Sequence, residues 1–258
     1  MNTILLDHQF INMLESWLWP FFRIGGLVMT APVIGTRSIP VRIRLLIAIA
    51  ITLVIAPVIS LPSTIDPLSL EGILVSVQQV IIGIAMGFTI RVVFIVLEMS
   101  GQLIGQLMGL LLASMVDPTN GNRVPIIGQF YLLLATLLFL SIDGHLIMIK
   151  ALANSFQKLP VGMHGITRDA VWLFLNWTGT VLSTAVLIAL PAVASLLIVN
   201  LSFGVMTRAS PQLNIFAVGF PVMIMLGMFI IMFTLNGFAP LMINIFEQSF
   251  SMLDRITG

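Results

Sequence analysis

Arg208 stands alone between two long uncharged stretches. No residue from Ala170 to Thr207 carries a charge, and none from Ala209 to Phe246; each stretch is 38 residues. A helix crosses the hydrocarbon core of a bilayer in about 20 residues, so each arm is nearly twice as long as a bilayer requires. Something other than lipid has to cover the excess. The natural reading is a long apolar hairpin that turns near Arg208 and packs within a larger apolar complex. Pro191, Pro221 and Pro240 are expected to break or kink the arms.

The rest of the chain is of the same kind. Of its 258 residues 59% are hydrophobic and 8% charged, with a mean hydropathy of +1.12, whereas a soluble domain carries about 25% charged residues. One core cannot hide that much apolar surface. The expected fold is all-α, an integral membrane-type protein of kinked helical hairpins. A net charge of +1 gives no case for nucleic-acid binding, and the absence of cysteine removes disulfides, thiolate metal sites and cysteine nucleophiles. The N-terminal MNTILLDHQFINMLESW lacks a basic region and carries Asp7 and Glu15, so it is not read as a signal peptide.

In chain order, residues 2–16 are expected to form a short interfacial helix, with Trp17 and Trp19 where interfacial aromatics sit. Residues 17–36 form a first span, interrupted by Pro20, Arg23, Gly25-Gly26 and Pro32. An arginine there is expensive in lipid and should face protein or water. Arg37, Arg42 and Arg44 form the densest basic cluster, which the positive-inside rule makes cytoplasmic. Further spans are expected at Leu45–Leu61, Ile73–Leu97 and Ile126–Ile142. Arg91 and Glu98 are two helical turns apart and share a face. The basic residues of 148–169 conflict with the outside position that an outside N-terminus would give that loop.

Glu98–Pro125 does not read as an ordinary span. Gly101, Gly105 and Gly109 recur every four residues and would line one helix face, where a neighbouring backbone can approach closely. Soft apolar bulk follows at Met108, Leu110, Leu111, Leu112 and Met115, and then Asp117-Pro118-Thr119-Asn120-Gly121-Asn122 breaks the helix. This suits a movable, tightly packed seal, or more plainly a close-packed span followed by a loop.

Catalytic sets are absent: there is no H-E-x-x-H, G-x-S-x-G or Walker lysine loop. No enzyme activity, metal or cofactor is expected. Asp143-Gly144-His145 lacks further nearby ligands and reads as a loop edge. Ser195 reads as a small packing residue. Arg23, Arg91 and Glu98 suit either a transport path or pairing with a partner chain. Met223, Met225, Met228 and Met232 suit either adaptable packing or a flexible seal.

Several separated motifs, in order, resemble one family. Arg208-Ala209-Ser210-Pro211-Gln212-Leu213-Asn214-Ile215-Phe216, with Gly219-Phe220-Pro221, carries the strongest likeness. Arg23-Ile24-Gly25-Gly26 through Pro32, Gly35, Ile39-Pro40 and Arg42 match the N-terminal pattern. The Gly101/Gly105/Gly109 ridge with Asp117-Pro118 matches the middle. Asp143-Gly144-His145, Ser155-Phe156 and Pro160 match the segment after it. The chain resembles, over essentially its whole length, the FliR/SpaR/YscT/EscT family of type III export-gate subunits.

That resemblance implies a FliP-like helical part, here 1–169, fused to a FliQ-like long hairpin, here 170–258. One such subunit completes a helical assembly of FliP, with FliQ packed outside and FlhB at the cytoplasmic mouth, in the bacterial inner membrane at the flagellar basal body. Unfolded export substrates pass through it. A plug corresponding to about 106–122 would close the pore, carried by Gln106, Met108, Gly109, Leu110, Leu111, Leu112, Ala113 and Met115. Close packing falls to Gly101, Gly105 and Gly109. An assembly or gating turn falls to Arg208, Pro211, Gln212, Leu213, Asn214 and Phe216, and charge contacts between subunits to Arg23, Arg91 and Glu98. The alternative is a stand-alone secondary transporter of a small solute, with Arg23, Arg91 and Glu98 as its midplane site.

Overall fold

A segment in hydrocarbon has no water to satisfy its peptide groups and must pair them within itself, which favours helices. The computed structural model describes residues 17–36, 38–59, 65–67, 69–110, 126–162, 165–209 and 215–258, and these contain helices and turns and no strand. Helix α1 occupies 17–30. It is followed by α2 (Val41–Ile55, continued by a 3-10 turn Ala56–Val58), α3 (Leu70–Leu107), α4 (Ile126–Ser141), α5 (Gly144–Lys158), α6 (Arg168–Ala209) and α7 (Ile215–Ile256). Among the described residues four segments are long and apolar enough to cross a membrane: Val41–Val58, Leu70–Leu107, Arg168–Ala209 and Gly219–Ile256. A fifth arises if α4 and α5, bent by 64° at their junction, count as one span.

Several element bounds differ from the sequence expectation. The first helix runs unbroken past Pro20, Arg23 and Gly25-Gly26 and ends before Pro32. Trp19 is fully buried rather than interfacial. The third helix starts earlier than Ile73, because Ser69 Oγ accepts the Gly72 N–H at 3.0 Å and satisfies one of the free donors of its first turn. It continues ten residues past Leu97. The arms are also unbroken: α6 runs through Pro191 and α7 through Pro221 and Pro240, 42 residues each. A long apolar helix tolerates proline where the freed backbone groups find other partners; one turn on, Ser195 Oγ donates to the Pro191 carbonyl at 2.8 Å, an ordinary i−4 bond. Ser195 therefore bonds the backbone rather than merely packing. Residues 2–16 and the Asp117–Asn122 break lie outside the described residues.

Two compact units emerge. The first comprises residues up to Val92 with Asp143–Trp177 and Phe246–Gly258. The second comprises Val93–Ile142 and Thr178–Ile245.

Within the first unit α1 and α3 touch backbone to backbone. A methyl group added at Gly26 would lie 2.6 Å from the Val80 carbonyl oxygen, and one at Gly83 would collide with the Arg23 carbonyl. Helices in lipid gain little from hydrophobic exclusion, so close van der Waals contact at small residues is what joins them. Below this crossing, Arg44 fastens the turn between α1 and α2: Nε donates to the Ile39 carbonyl at 3.0 Å and Nη2 to the Thr36 carbonyl at 2.7 Å. Lys158 and Asp254 form an exposed ion pair at 3.3 Å.

Within the second unit α3, α4, α6 and α7 pack. Ala185, Ala189, Ala192 and Leu196 form the buried stripe of α6, and Leu187, Leu197, Ile198 and Leu201 face outward. Buried Ser100 links α3 to α6 by donating to the Ala185 carbonyl at 3.0 Å. Phe94 meets Phe139 edge-on, and Tyr131 stacks on Phe238.

Gly83→Leu is expected to force α1 and α3 apart. Its steady-state level in membranes should fall severalfold relative to the parent chain, whereas Gly179→Leu, where nothing lies within 4 Å of an added methyl, should leave the level unchanged; quantitative blotting of membrane fractions checks both.

Candidate functional site: the end of α3 and its sockets

The glycine ridge lies on the last two turns of α3. Gly101 crosses α4 at Gly128: a methyl group added at Gly101 would stand 2.6 Å from both the Gly128 Cα and its nitrogen, and one at Gly128 would stand 3.0 Å from the Glu98 carbonyl oxygen. Gly105 is different. An added methyl there would meet only Ile127 side-chain carbons at 3.7 and 3.8 Å, ordinary contact distances. The third glycine ends the helix. Gly109 has φ +79°, a left-handed conformation that favours glycine, and its N–H donates to the Gln106 carbonyl at 3.1 Å. α3 thus ends at Leu107, and Leu110 is again helical; the break expected at Asp117 lies outside the described residues.

Two sockets on α7 receive this end. The Met108 side chain is buried against Gly227, where an added methyl would stand 2.5 Å from Met108 Cγ, and Gly109 faces the Phe220 ring. Asn200 Nδ2 of α6 donates to the Leu107 carbonyl at 3.4 Å. Beside the sockets lies an open apolar cleft of about 520 Å³, lined by Ile126, Ile127 and Phe130 of α4 and by Met225, Met228, Phe229 and Met232 among others of α7. The four α7 methionines divide: Met223 is buried, whereas Met225, Met228 and Met232 are more than half exposed.

Of the remaining residues expected to form a plug, Gln106 is exposed and Leu110 half-buried; Leu111, Leu112, Ala113 and Met115 lie outside the described residues. Arg208 is exposed in the last turn of α6. Pro211, Gln212, Leu213 and Asn214 lie outside the described residues, and of Phe216 the structure describes only a helical backbone.

The three charges expected within spans occupy different surroundings. Arg23 has no exposed surface. Its Nε donates to Gln79 Oε1 at 2.7 Å, Nη1 to Ser155 Oγ at 3.1 Å and Nη2 to the Leu159 carbonyl at 2.9 Å, and its guanidinium carbon lies 4.2 Å from the centre of the Phe156 ring. A planar fork of fixed donors suits three separated acceptors, and a ring face adds cation–π attraction. Arg91 is exposed. Glu98 is half-buried, with its Oε1 3.5 Å from Gln102 Nε2. Among the described residues no ion pair joins Arg91 to Glu98, and no cluster of His, Asp or Glu could hold a metal. Asp143, with φ +55°, is the corner between α4 and α5; its carbonyl accepts from Leu146 and Ile147.

Sequence reading missed three of these elements. Gly227 sits inside an apolar arm with no spacing to mark it. Gly83 and Gly87 match Gly26 and Thr30 across α1 and α3, yet only the pairing of the helices discloses it. Arg23's acceptors lie 56 to 136 residues away in sequence.

Comparison with known proteins gives one consistent result. The profile of the family described as "Bacterial export proteins, family 1" matches residues 14–249. A flagellar biosynthetic protein FliR of Pectobacterium carotovorum is 36% identical over 246 residues, 95% of this chain and 94% of that protein. Its Escherichia coli K12 counterpart is 35% identical over 251 residues, 97% and 95%. That of Aquifex aeolicus is 31% identical over 254 residues, 98% and 96%.

Gly101→Ala is expected to reduce the amount of folded protein, because two backbones would have to part, whereas Gly105→Ala should leave it within error; detergent size-exclusion profiles at matched expression measure both. Arg23→Lys should destabilise by about 1–3 kcal/mol, the range for buried polar groups left unpaired, read as a lower midpoint in a heat-and-pellet assay.

Proposed function

Because the chain belongs to the bacterial export proteins of family 1, and is a flagellar export protein with membrane-type helices, we propose that it is the FliR subunit of the flagellar type III export gate. In this reading 1–169 is a FliP-like part and 170–258 a FliQ-like part. One copy completes a channel with FliP and FliQ in the bacterial inner membrane, FlhB borders the cytoplasmic mouth, and unfolded flagellar proteins pass through. Residues from about Gln106 to Asn122 close the pore.

The observation that carries the assembly is the surface of α6. At 1.5 Å per residue its 42 residues span about 63 Å, roughly twice a hydrocarbon core of about 30 Å. Large apolar side chains are exposed from Val171 and Trp172 near its start to Val205 and Met206 near its end. Lipid alone cannot cover both ends. Sister subunits can, and a subunit built into them needs no solvated surface there.

The pore-closing role draws on the end of α3. A left-handed glycine follows the last helical turn, and apart from Gln102 and Gln106 the side chains at that end are apolar or small and carry no charge. A constriction lined by such groups excludes water and ions without fixed charge, and it opens when the segment moves. The separate surroundings of Arg23 and Arg91, one without exposed surface and one exposed, give no support to a solute site built from both.

Deleting Gly109–Ala113 should leave an assembled but leaky gate, seen as ion conductance or small-solute uptake absent from the parent; a tight gate would count against the plug. The chain should copurify with FliP and FliQ and fail to accumulate without them. A monodisperse solitary chain that binds a solute would overturn the assignment.

A further inference from the structure

We infer that Met108 and Gly227 form a latch: the thioether of Met108 seats in a notch of α7, holding the end of α3 closed, and opening the conduit requires it to leave. The inference rests on the pore-closing role proposed above and adds to it the element that resists opening.

The notch is defined by the missing side chain. A methyl group at Gly227 would stand 2.5, 2.6 and 2.7 Å from Cγ, Sδ and Cε of Met108, so the whole length of the methionine beyond Cβ lies in the space a side chain would occupy. Met108 is 1% exposed as a result. Glycine inside a helix is a poor choice locally, less stable than alanine by about 1 kcal/mol, and Gly227 lies well within α7. Its neighbours Met225 and Met228 point outward, so local burial does not call for a glycine. The seated methionine does.

The same end of α3 carries the features of a part that releases. Methionine is unbranched with three side-chain torsions, so it can withdraw by rotation alone. Gly109, next in the chain, is the left-handed residue at which the helix stops, and it rests on Phe220, about two helical turns before Gly227. With the long Asn200 hydrogen bond to the Leu107 carbonyl, these two glycine contacts tie this end to the arms. If opening wets the notch, seating a methionine biases the closed state by about ten- to a hundredfold, the equivalent of burying one such side chain.

The chain contains no cysteine, which gives the latch a direct test in the assembled gate. Because an added β-carbon at Gly227 lies 2.5 Å from Met108 Cγ, the two β-carbons of a Met108→Cys/Gly227→Cys pair would stand about 4 Å apart or less, within disulfide range. A mild oxidant removes two electrons and two protons from the thiols to form the bond. We expect an intrachain crosslink in resting cells, arrest of export and motility in the crosslinked gate, and recovery on adding a reductant. Failure of the crosslink to form in the assembled gate, or undiminished export through it, would overturn the latch. The Gly109–Ala113 deletion tests the pore-closing role separately: a leaky deletion with free export through the crosslinked gate sinks the latch alone. As a second measure, Gly227→Leu should evict Met108 and raise small-solute leakage about tenfold, and adding Met108→Ala should bring it back toward the parent by vacating the space; unchanged leakage, or no recovery, would also refute the latch.

Discussion

Direct contact between helix backbones at glycine is what the rest of this protein depends on. In a solvent as apolar as its own side chains, a helix gains little by hiding leucines, and helix pairs are held by how closely their backbones approach. α3 is the helix through which this works. Gly83 and Gly87 bring α1 against its first part, and Gly101 brings α4 against its last. Each compact unit contains one such crossing, and α3 contributes residues to both. The larger apolar side chains of α2, α6 and α7 are left facing outward in numbers no soluble protein would show.

Several of the polar groups inside are turned onto acceptors within their own unit, although among the described residues the Trp19 and Trp177 ring N–H groups and Gln79 Nε2 are buried without one. Arg23 is the extreme case, a cation with no exposed surface and three oxygen partners drawn from α3, α5 and the residue after α5. Such a group does more for uniqueness than for stability, since a wrongly seated helix would leave the cation unpaired in a low-dielectric interior. Ser100 and Thr30 do the same at smaller scale, each reaching a carbonyl of a neighbouring helix as well as one of its own.

How much of this the sequence disclosed depended on the range of the signal. The uncharged run before Arg208 disclosed α6 to within two residues at each end, and the run after it disclosed α7 but not its bounds, because absence of charge over 38 residues is a property of composition alone. Pro191, Pro221 and Pro240, expected to break or kink the arms, do not break them: proline's local preference yields when a long apolar helix has no better alternative. Gly101 was legible by its spacing, but its partner Gly128 was not, and spacing alone could not show that Gly105 is the loosest of the three. Gly227 was hidden for the same reason as the acceptors of Arg23, since a notch is defined by the residue that fills it and that residue lies over a hundred positions away. Arg91 and Glu98 were rightly placed on one helix, yet the spacing carried no information about which surface either would face.

Arg44 joins two roles usually assigned to different residues. Arginines flanking a span tell the insertion machinery which side of the bilayer to keep them on. Here one of them also binds the carbonyls of Thr36 and Ile39 and so ties the turn that sets α2 on its course. The topogenic signal and the joint are the same side chain. Relocating positive charge to invert the orientation of this chain would therefore untie the corner on which its second helix is hung.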